Sequence, residues 1–392
     1  MAPPMTTIDL TFHGADWLAP DGLHDTPLSI SGGHIGGTGR AVDLSGKLIL
    51  PGIVDLHGDA FEHHIAPRRG AMTDATAGIL AAEADLAANG ITTAVLAQFY
   101  SWEGGMRSPE AARRMLSATE AAQKLVGTDL RVQLRLETHM LDDFPEVLDL
   151  LDRYDVRYVA FNDHLPHERL ATGRSIPRLT GTALKSGRSP EKHLALMQAL
   201  HARSHEVPAA LEALCKTLTA RGVHMASHDD ASAGDRATWA ARGVSISEFP
   251  ESFEAAEAAR DAGAPTILGA PNLVRGASHK GNASAFEMVK RGLATALASD
   301  YHYPSLRGAV WKLVDAGTLP LHEAWALVSA NPARMIGLSD RGSLAPGHRA
   351  DLIILDAATR RIEATLSGGR ITCLTGDTAA RLISFASEPS LA

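Results

Sequence analysis

Cysteine is nearly missing from this chain: Cys215 and Cys373 are the only two in 392 residues. That excludes a disulfide framework and a cysteine-rich metal site, leaves any metal to histidine and carboxylate, and points to a reducing cytoplasm. An excess of basic residues is missing too, since the formal net charge is −8, which argues against a general nucleic-acid partner. No apolar run approaches the roughly 20 residues a membrane span needs. The opening MAPPMTTIDLTFHGADWLAP has no basic start followed by an apolar core, so neither export nor membrane insertion is expected. No GxxxxGK[ST] segment occurs, so a phosphate cradle of the P-loop kind is not supported. What remains, 45% hydrophobic and 21% charged residues, fits an ordinary soluble enzyme. Composition leaves oligomeric state open, a homo-oligomer included.

The most informative stretch is LILPGIVDLHGDAFE, residues 48–62. Leu48 to Leu56 reads as a buried strand, with His57 and Asp59 at its C-terminal end on one face. An imidazole and a carboxylate at that spacing suit a borderline divalent metal, and parallel α/β folds gather such ligands at strand C-termini. A surface histidine beside a turn aspartate is the bland alternative for the pair taken alone. Further strand-like runs follow at GITTAVLAQF, RVQLRLETH, VRYVAFNDH, GVHMASHDD, GVSISEFP, APTILGAPN and LATALASDY. Ala-rich segments of helical composition separate most of them, among them residues 74–89, 109–125, 232–242 and 252–262. Eight βα-like units predict a (β/α)₈ barrel of the TIM type over 51–340. Residues 1–50 and 341–392 carry short strands and glycine turns, and predict one small β domain built from both termini.

Between His164 and Arg221 the rhythm breaks in a segment with nine Lys or Arg against four acids. A basic insertion near 164–221, over a barrel mouth, would attract an anionic substrate. A solvated helical excursion is the competing reading.

The remaining strands end in Glu137, in Asp163 and His164, in His228 and Asp229, and in Asp300. Alone, each is more often a core or capping residue; together they predict a metal centre. Glu137 would bind or bridge cations, His228 would supply nitrogen, and Asp300 would bind metal while taking a proton from water activated there.

This pattern resembles the amidohydrolase superfamily, as does the ending GSLAPGHRADLIILD. A narrower resemblance, carried by SHDDAS at 227–232, EFP at 248–250, GAPNLVRGASHKGNASA at 269–285 and ASDY at 298–301, is to the PhnM-type diphosphatases of phosphonate metabolism. The resemblance implies hydrolysis of α-D-ribose 1-methylphosphonate 5-triphosphate to the 5-phosphate and pyrophosphate. It implies metal roles for His57, Asp59, Glu137 and His228, and a metal or proton-transfer role for Asp300. Glu248 stands where a second histidine often follows the sixth strand, and no lysine follows the fourth, so Glu248 and His164 are further candidate ligands. One or two divalent ions are implied, zinc first and manganese as the alternative. The family's usual HTDN is here HGDA, with Gly58 and Ala60 beside the metal pair.

GAPNLVRGASHKGNASA also makes physical sense as an anion site. Arg275 can grip phosphate with a planar fork, Lys280 adds a point charge, and His279 and Asn282 can donate hydrogen bonds. Arg68, close behind the first strand, is a further candidate for a small phosphorylated substrate. A hydrolase for a C–N bond of a small polar compound is the enzymatic alternative, since activated water can equally attack a carbonyl. A metal-binding accessory protein without turnover is the non-enzymatic one.

Overall fold

The computed structural model describes residues 6–68, 74–276 and 284–384. Eight parallel strands follow one another in chain order through one sheet. They are β1 (Ile53–Gly58), β2 (Ile91–Tyr100), β3 (Asp129–Glu137), β4 (Tyr158–Asn162), β5 (His224–His228), β6 (Ile246–Glu248), β7 (Thr266–Gly269) and β8 (Ala296–Ala298). An isolated parallel bridge between Gly58 and Asp300 brings the end of β1 against the residues after β8. The architecture is a (β/α)₈ barrel of the TIM type, as the sequence predicts. Every residue of β1, β2 and β4 is buried, which is why these strands read as continuous apolar runs.

The crossover helices begin where their capping residues say they should. Asp74 accepts from the Ala77 amide to start Ala75–Ala88. Ser232 and Asp235 form a reciprocal capping box that starts Ala233–Ala241, and Ser252 caps Phe253–Asp261. Pro109–Gln123 matches the fourth expected helix.

One expectation needs correction. LILPGIV is two strands: Lys47–Pro51 pairs antiparallel with Leu352–Asp356, and β1 starts after Gly52. A Cβ on Gly52 would sit 2.3 Å from the Thr92 hydroxyl, so only glycine lets the chain pass between the two sheets there. The six-stranded sheet so formed runs Arg370–Leu374, Ile362–Ser367, Leu352–Asp356, Lys47–Pro51, Asp16–Ala19, Gly22–His24, joining strands from both chain termini. A four-stranded sheet, ordered His34–Ile35, Leu28–Ser31, Leu10–His13, Arg40–Asp43, lies beside it in sequence. Leu10, Phe12, Ile30, Val42, Ile49, Leu352 and Ile354 belong to their shared core.

By internal packing the chain divides into two compact units: Met1–Leu96, Ala121–Arg131 and Leu268–Ala392 in the first, Ala97–Glu120 and Val132–Ile267 in the second. The basic segment lies in the second. It forms helices His167–Thr172, Leu179–Lys185, Pro190–Ala202 and Val207–Ala220. The last buries Val207, Leu211, Leu214, Cys215 and Leu218 in a core with β3, β4 and β5 residues. Arg174, Arg203, Lys216 and Arg221 are tied to Glu168, Asp142, Glu212 and Asp152. No helix among the described residues is long and apolar enough to cross a membrane.

Candidate active site

In the first unit, backbone hydrogen bonds assemble the strand-end residues. The Asp300 amide donates to the His57 carbonyl at 2.9 Å, and the Asp59 amide donates to the Asp300 carbonyl at 2.8 Å. Asp300 sits at φ 54, the left-handed region that aspartate tolerates better than most side chains. His57 is fully buried. Two residues earlier on the same face of β1, Asp55 accepts from the Ser299 amide at 3.0 Å, from the Ser299 hydroxyl at 2.5 Å and from the His57 amide at 3.4 Å. Burial pushes the Asp55 carboxyl pKa up, against the pull of these hydrogen bonds. A Cβ on Gly58 would lie 2.8 Å from Asp55 Oδ2 and 3.0 Å from Ser299 Oγ. The glycine of HGDA thus leaves room that the Asp55–Ser299 pair fills.

Arg275 ends the short helix Ala270–Arg275 and is exposed. Its guanidinium donates to Asn272 Oδ1 at 3.0 Å and lies 5.7 Å from the ring centre of Tyr301, the neighbour of Asp300. Arg68 is exposed. His279, Lys280 and Asn282 lie outside the described residues. His64 bonds Asp85 at 3.3 Å.

In the second unit, side chains rather than backbone hold the strand ends. Glu137 is fully buried; its Oε2 accepts from the Trp102 indole at 3.2 Å and the His164 amide at 3.1 Å, and its Oε1 meets His164 Nδ1. Glu103, Glu137 and His164 each offer a ligand atom, all within 4.8 Å of one another. Burial lowers the His164 pKa, but the Glu137 carboxylate outweighs it and the net shift is upward. His228 and Glu248 are register partners at the ends of β5 and β6. Glu248 Oε1 accepts from Gln133 Nε2 at 2.5 Å and from the Tyr158 hydroxyl. Burial, with Glu248 adding to it, raises the Tyr158 pKa well above the usual phenol value.

Arg135 Nη2 lies 3.0 Å from His228 Nε2. A guanidinium can only donate, so His228 Nε2 is the acceptor in this contact and its lone pair is directed at Arg135. The Arg135 and Arg107 guanidinium carbons also stack on Phe99, at 3.8 and 4.0 Å from the ring centre. Asp229 and Phe249, one residue past β5 and β6, both have positive φ, 62° and 52°. In SHDD the second aspartate serves structure: Asp230 is buried and accepts from Ser227 at 2.7 Å, Ser247 at 2.9 Å and Arg236 at 3.4 Å.

Sequence reasoning passed over Gln133 and Arg135. Both lie on the face of β3 that Glu137 occupies, and both are buried. The alternation in QLRLE, polar residues at every second place between leucines, was the signal. Trp102 and Tyr158 carried no comparable mark.

The chain is similar to known proteins. The amidohydrolase family model matches residues 63–373. The alpha-D-ribose 1-methylphosphonate 5-triphosphate diphosphatase of Escherichia coli K12 is 35% identical over 327 residues, 80% of this chain and 85% of the relative. A deacetylase of Brucella anthropi is 26% identical over 246 residues, 59% of this chain and 56% of the relative. Among solved structures, the beta-aspartyl dipeptidase of Fervidobacterium islandicum AW-1 superposes with a TM-score of 0.60 at 16% identity, over 95% of this chain and 98% of that one. This chain belongs to the amidohydrolase family and is similar to the Escherichia coli diphosphatase.

Proposed function

We propose that the protein is a divalent-metal-dependent diphosphatase that cleaves α-D-ribose 1-methylphosphonate 5-triphosphate to the 5-phosphate and pyrophosphate. The observation that carries this reading is the 35% identity to a diphosphatase of that name, over 85% of its length. The residues present fit a metal: imidazoles and carboxylates at strand ends, with ligand atoms of Glu103, Glu137 and His164 within 4.8 Å of one another, and no thiolate among them. His57, Asp59, Glu137, His228 and Asp300 would hold it, with His164 and Glu248 as further donors. Such donors suit zinc, or manganese as the alternative. A bound divalent ion supplies Lewis acidity that makes water a competent nucleophile at neutral pH.

The chain's own groups do the rest. Asp300 orients the attacking water and holds its proton at the carboxylate. Arg275, with Arg68 and the loop through His279, Lys280 and Asn282, draws charge from the phosphate oxygens as pyrophosphate leaves. Phosphoryl transfer depends mainly on such positioning and electrostatic stabilisation. Arg135, stacked on Phe99 and 3.0 Å from His228, adds positive charge there. The two free thiols, Cys215 and Cys373, agree with a cytoplasmic location.

The deacetylase relative favours a second reading, hydrolysis of a C–N bond. One experiment separates the two. Metal-loaded protein is incubated with the ribosyl phosphonate triphosphate, with ATP and with small N-acyl compounds, and pyrophosphate and amine are assayed separately. Pyrophosphate released from the phosphonate substrate supports the proposal, whereas amine without pyrophosphate replaces it. Arg275→Ala should then cut triphosphate turnover by about 1.5–3 kcal/mol, roughly 10- to 150-fold, with metal content unchanged. Equal loss on neutral and charged substrates would show that Arg275 does not read phosphate.

A further inference from the structure

A second cluster, of histidines around Asp163, lies in the same unit as Glu137, and its histidines take no part in the chemistry above. His139 follows β3, Asp163 follows β4, and His167 and His201 come from two helices of the basic segment, His167–Thr172 and Pro190–Ala202. His167 Nε2 lies 3.0 Å from Asp163 Oδ2, and His139 Nδ1 lies 3.7 Å from Asp163 Oδ1. The ligand atoms of His139, Asp163 and His167 all fall within 4.8 Å of one another. A tetrahedral ion with bonds of about 2.0–2.1 Å needs its ligand atoms about 3.3–3.4 Å apart, and the separations of His167 Nε2 and His139 Nδ1 from Asp163 Oδ1, 3.1 and 3.7 Å, bracket that edge.

The hydrogen bonds around His139 add an independent reason. Ser204 Oγ donates to the His201 carbonyl at 2.7 Å, so its hydrogen is committed. The contact of Ser204 Oγ with His139 Nε2 at 3.1 Å must then be donated by the imidazole. In a neutral ring this leaves Nδ1 as the lone-pair nitrogen, and the Thr138 hydroxyl 3.2 Å away donates to it. That nitrogen therefore has no proton to give Asp163 Oδ1, 3.7 Å away, and an ion bound between them would take its lone pair in place of the Thr138 hydrogen bond. Asp163 Oδ1 also accepts from the Leu165 amide at 3.2 Å, which fixes the carboxylate's direction.

The outer partners match a metal site as well. Ligating histidines usually donate their second nitrogen to a neighbour that fixes the ring. His139 donates to Ser204, and His167 Nδ1 faces His201 Nδ1 at 2.8 Å. The basic segment packs beside the site through a small buried cluster of Trp102, Leu165 and Met197.

We propose that His139, Asp163 and His167 form a divalent-cation site of the zinc class, oriented by Ser204 and His201, that staples the helical segment to the ends of β3 and β4. The site is separate from the strand-end centre proposed for catalysis and does not depend on the substrate assigned there.

The test is zinc stoichiometry and affinity, measured by chelator competition on the metal-stripped full chain titrated with Zn²⁺. His167→Ala should bind one equivalent fewer than the wild type. His201→Ala should keep that equivalent with affinity lowered roughly 10- to 100-fold, as expected for the loss of an outer partner. Zinc should also slow tryptic cleavage within residues 167–203 of the wild type but not of His167→Ala. Circular dichroism checks the fold, and Asp163→Asn, nearly isosteric, stands in if His167→Ala does not fold. Unchanged equivalents and affinity in His167→Ala or its stand-in would overturn the proposal and leave the cluster a hydrogen-bonded relay. Loss of the equivalent with no effect of zinc on cleavage would overturn the stapling role.

Discussion

The two ends of β3 hold their carboxylates in opposite ways. At the start, Asp129 accepts from Arg341 at 2.6 Å and from Arg131 at 3.0 Å, so one negative charge faces two guanidinium groups. At the other end, Glu137 accepts from an indole, a backbone amide and a histidine. The first arrangement neutralises its charge and fixes the strand. The second orients both oxygens through three different donors, the last of them the His164 imidazole. In parallel barrels chemistry gathers at the C-terminal ends of strands and stability at the other, and here one strand shows how the choice of donors makes that division. Substitutions at strand ends should therefore alter rate and metal affinity, and substitutions at strand starts should alter stability.

The largest effect should come from Asp300. Asn keeps the side-chain size and tolerates φ 54, so Asp300→Asn should fold as the wild type does. It should lose on the order of 10²-fold or more in hydrolytic rate, as expected for a lost proton-transfer group. A metal-loaded Asp300→Asn with near-normal rate would break the comparison at its functional end.

Much of the fold was legible because periodicity and capping are local. Eight apolar runs announced the barrel strands, and Asp74, Ser232 and Ser252 marked the helix starts. The break inside LILPGIV was not legible, because it depends on Thr92, on the neighbouring strand β2 but far along the sequence, crowding Gly52. The strand ends could be located as positions, but their contacts could not. The Asp55–Ser299 pair spans 244 residues, and nothing local links them. Likewise nothing in RVQLRLETH says that Arg135 meets His228, 93 residues on, although its alternation with leucine showed that a polar face points inward. His279, Lys280 and Asn282 remain sequence-based proposals.

A smaller effect sharpens the contrast between backbone and side-chain positioning. His57, Asp59 and Asp300 are joined by main-chain hydrogen bonds, whereas Glu248 depends on Gln133 and Tyr158. Tyr158→Phe removes one of those donors and should weaken metal affinity roughly 10- to 100-fold. Ser299→Ala removes the hydroxyl on Asp55 but keeps the amide at 3.0 Å. It should cost about 1 kcal/mol of stability and leave metal affinity unchanged. Equal losses of affinity in the two variants, read by chelator competition, would show that both groups of strand ends rely on side-chain support.

The smallest effect on function, and a clear one on stability, belongs to Asp129. Burial raises its pKa, but Arg131 and Arg341 outweigh burial and hold the carboxyl below its ordinary value. A carboxylate whose folded pKa is depressed stabilises the fold fully above its unfolded pKa of about 3.9, and the contribution is lost as pH falls through the folded pKa. Asp129→Asn deletes the charge opposite Arg341, whose side chain is only 5% exposed. It should cost about 2 kcal/mol at pH 7, the scale of a hydrogen bond to a charged group. Chemical denaturation of both proteins should show that difference constant from pH 7 to about 5, then shrinking below about 4 as wild-type Asp129 is protonated. Turnover at pH 7 should stay within about twofold of wild type, because the ion pair lies at the strand's N-terminal end, away from the chemistry. A large loss of rate with unchanged stability would reverse the roles assigned to the two ends of β3.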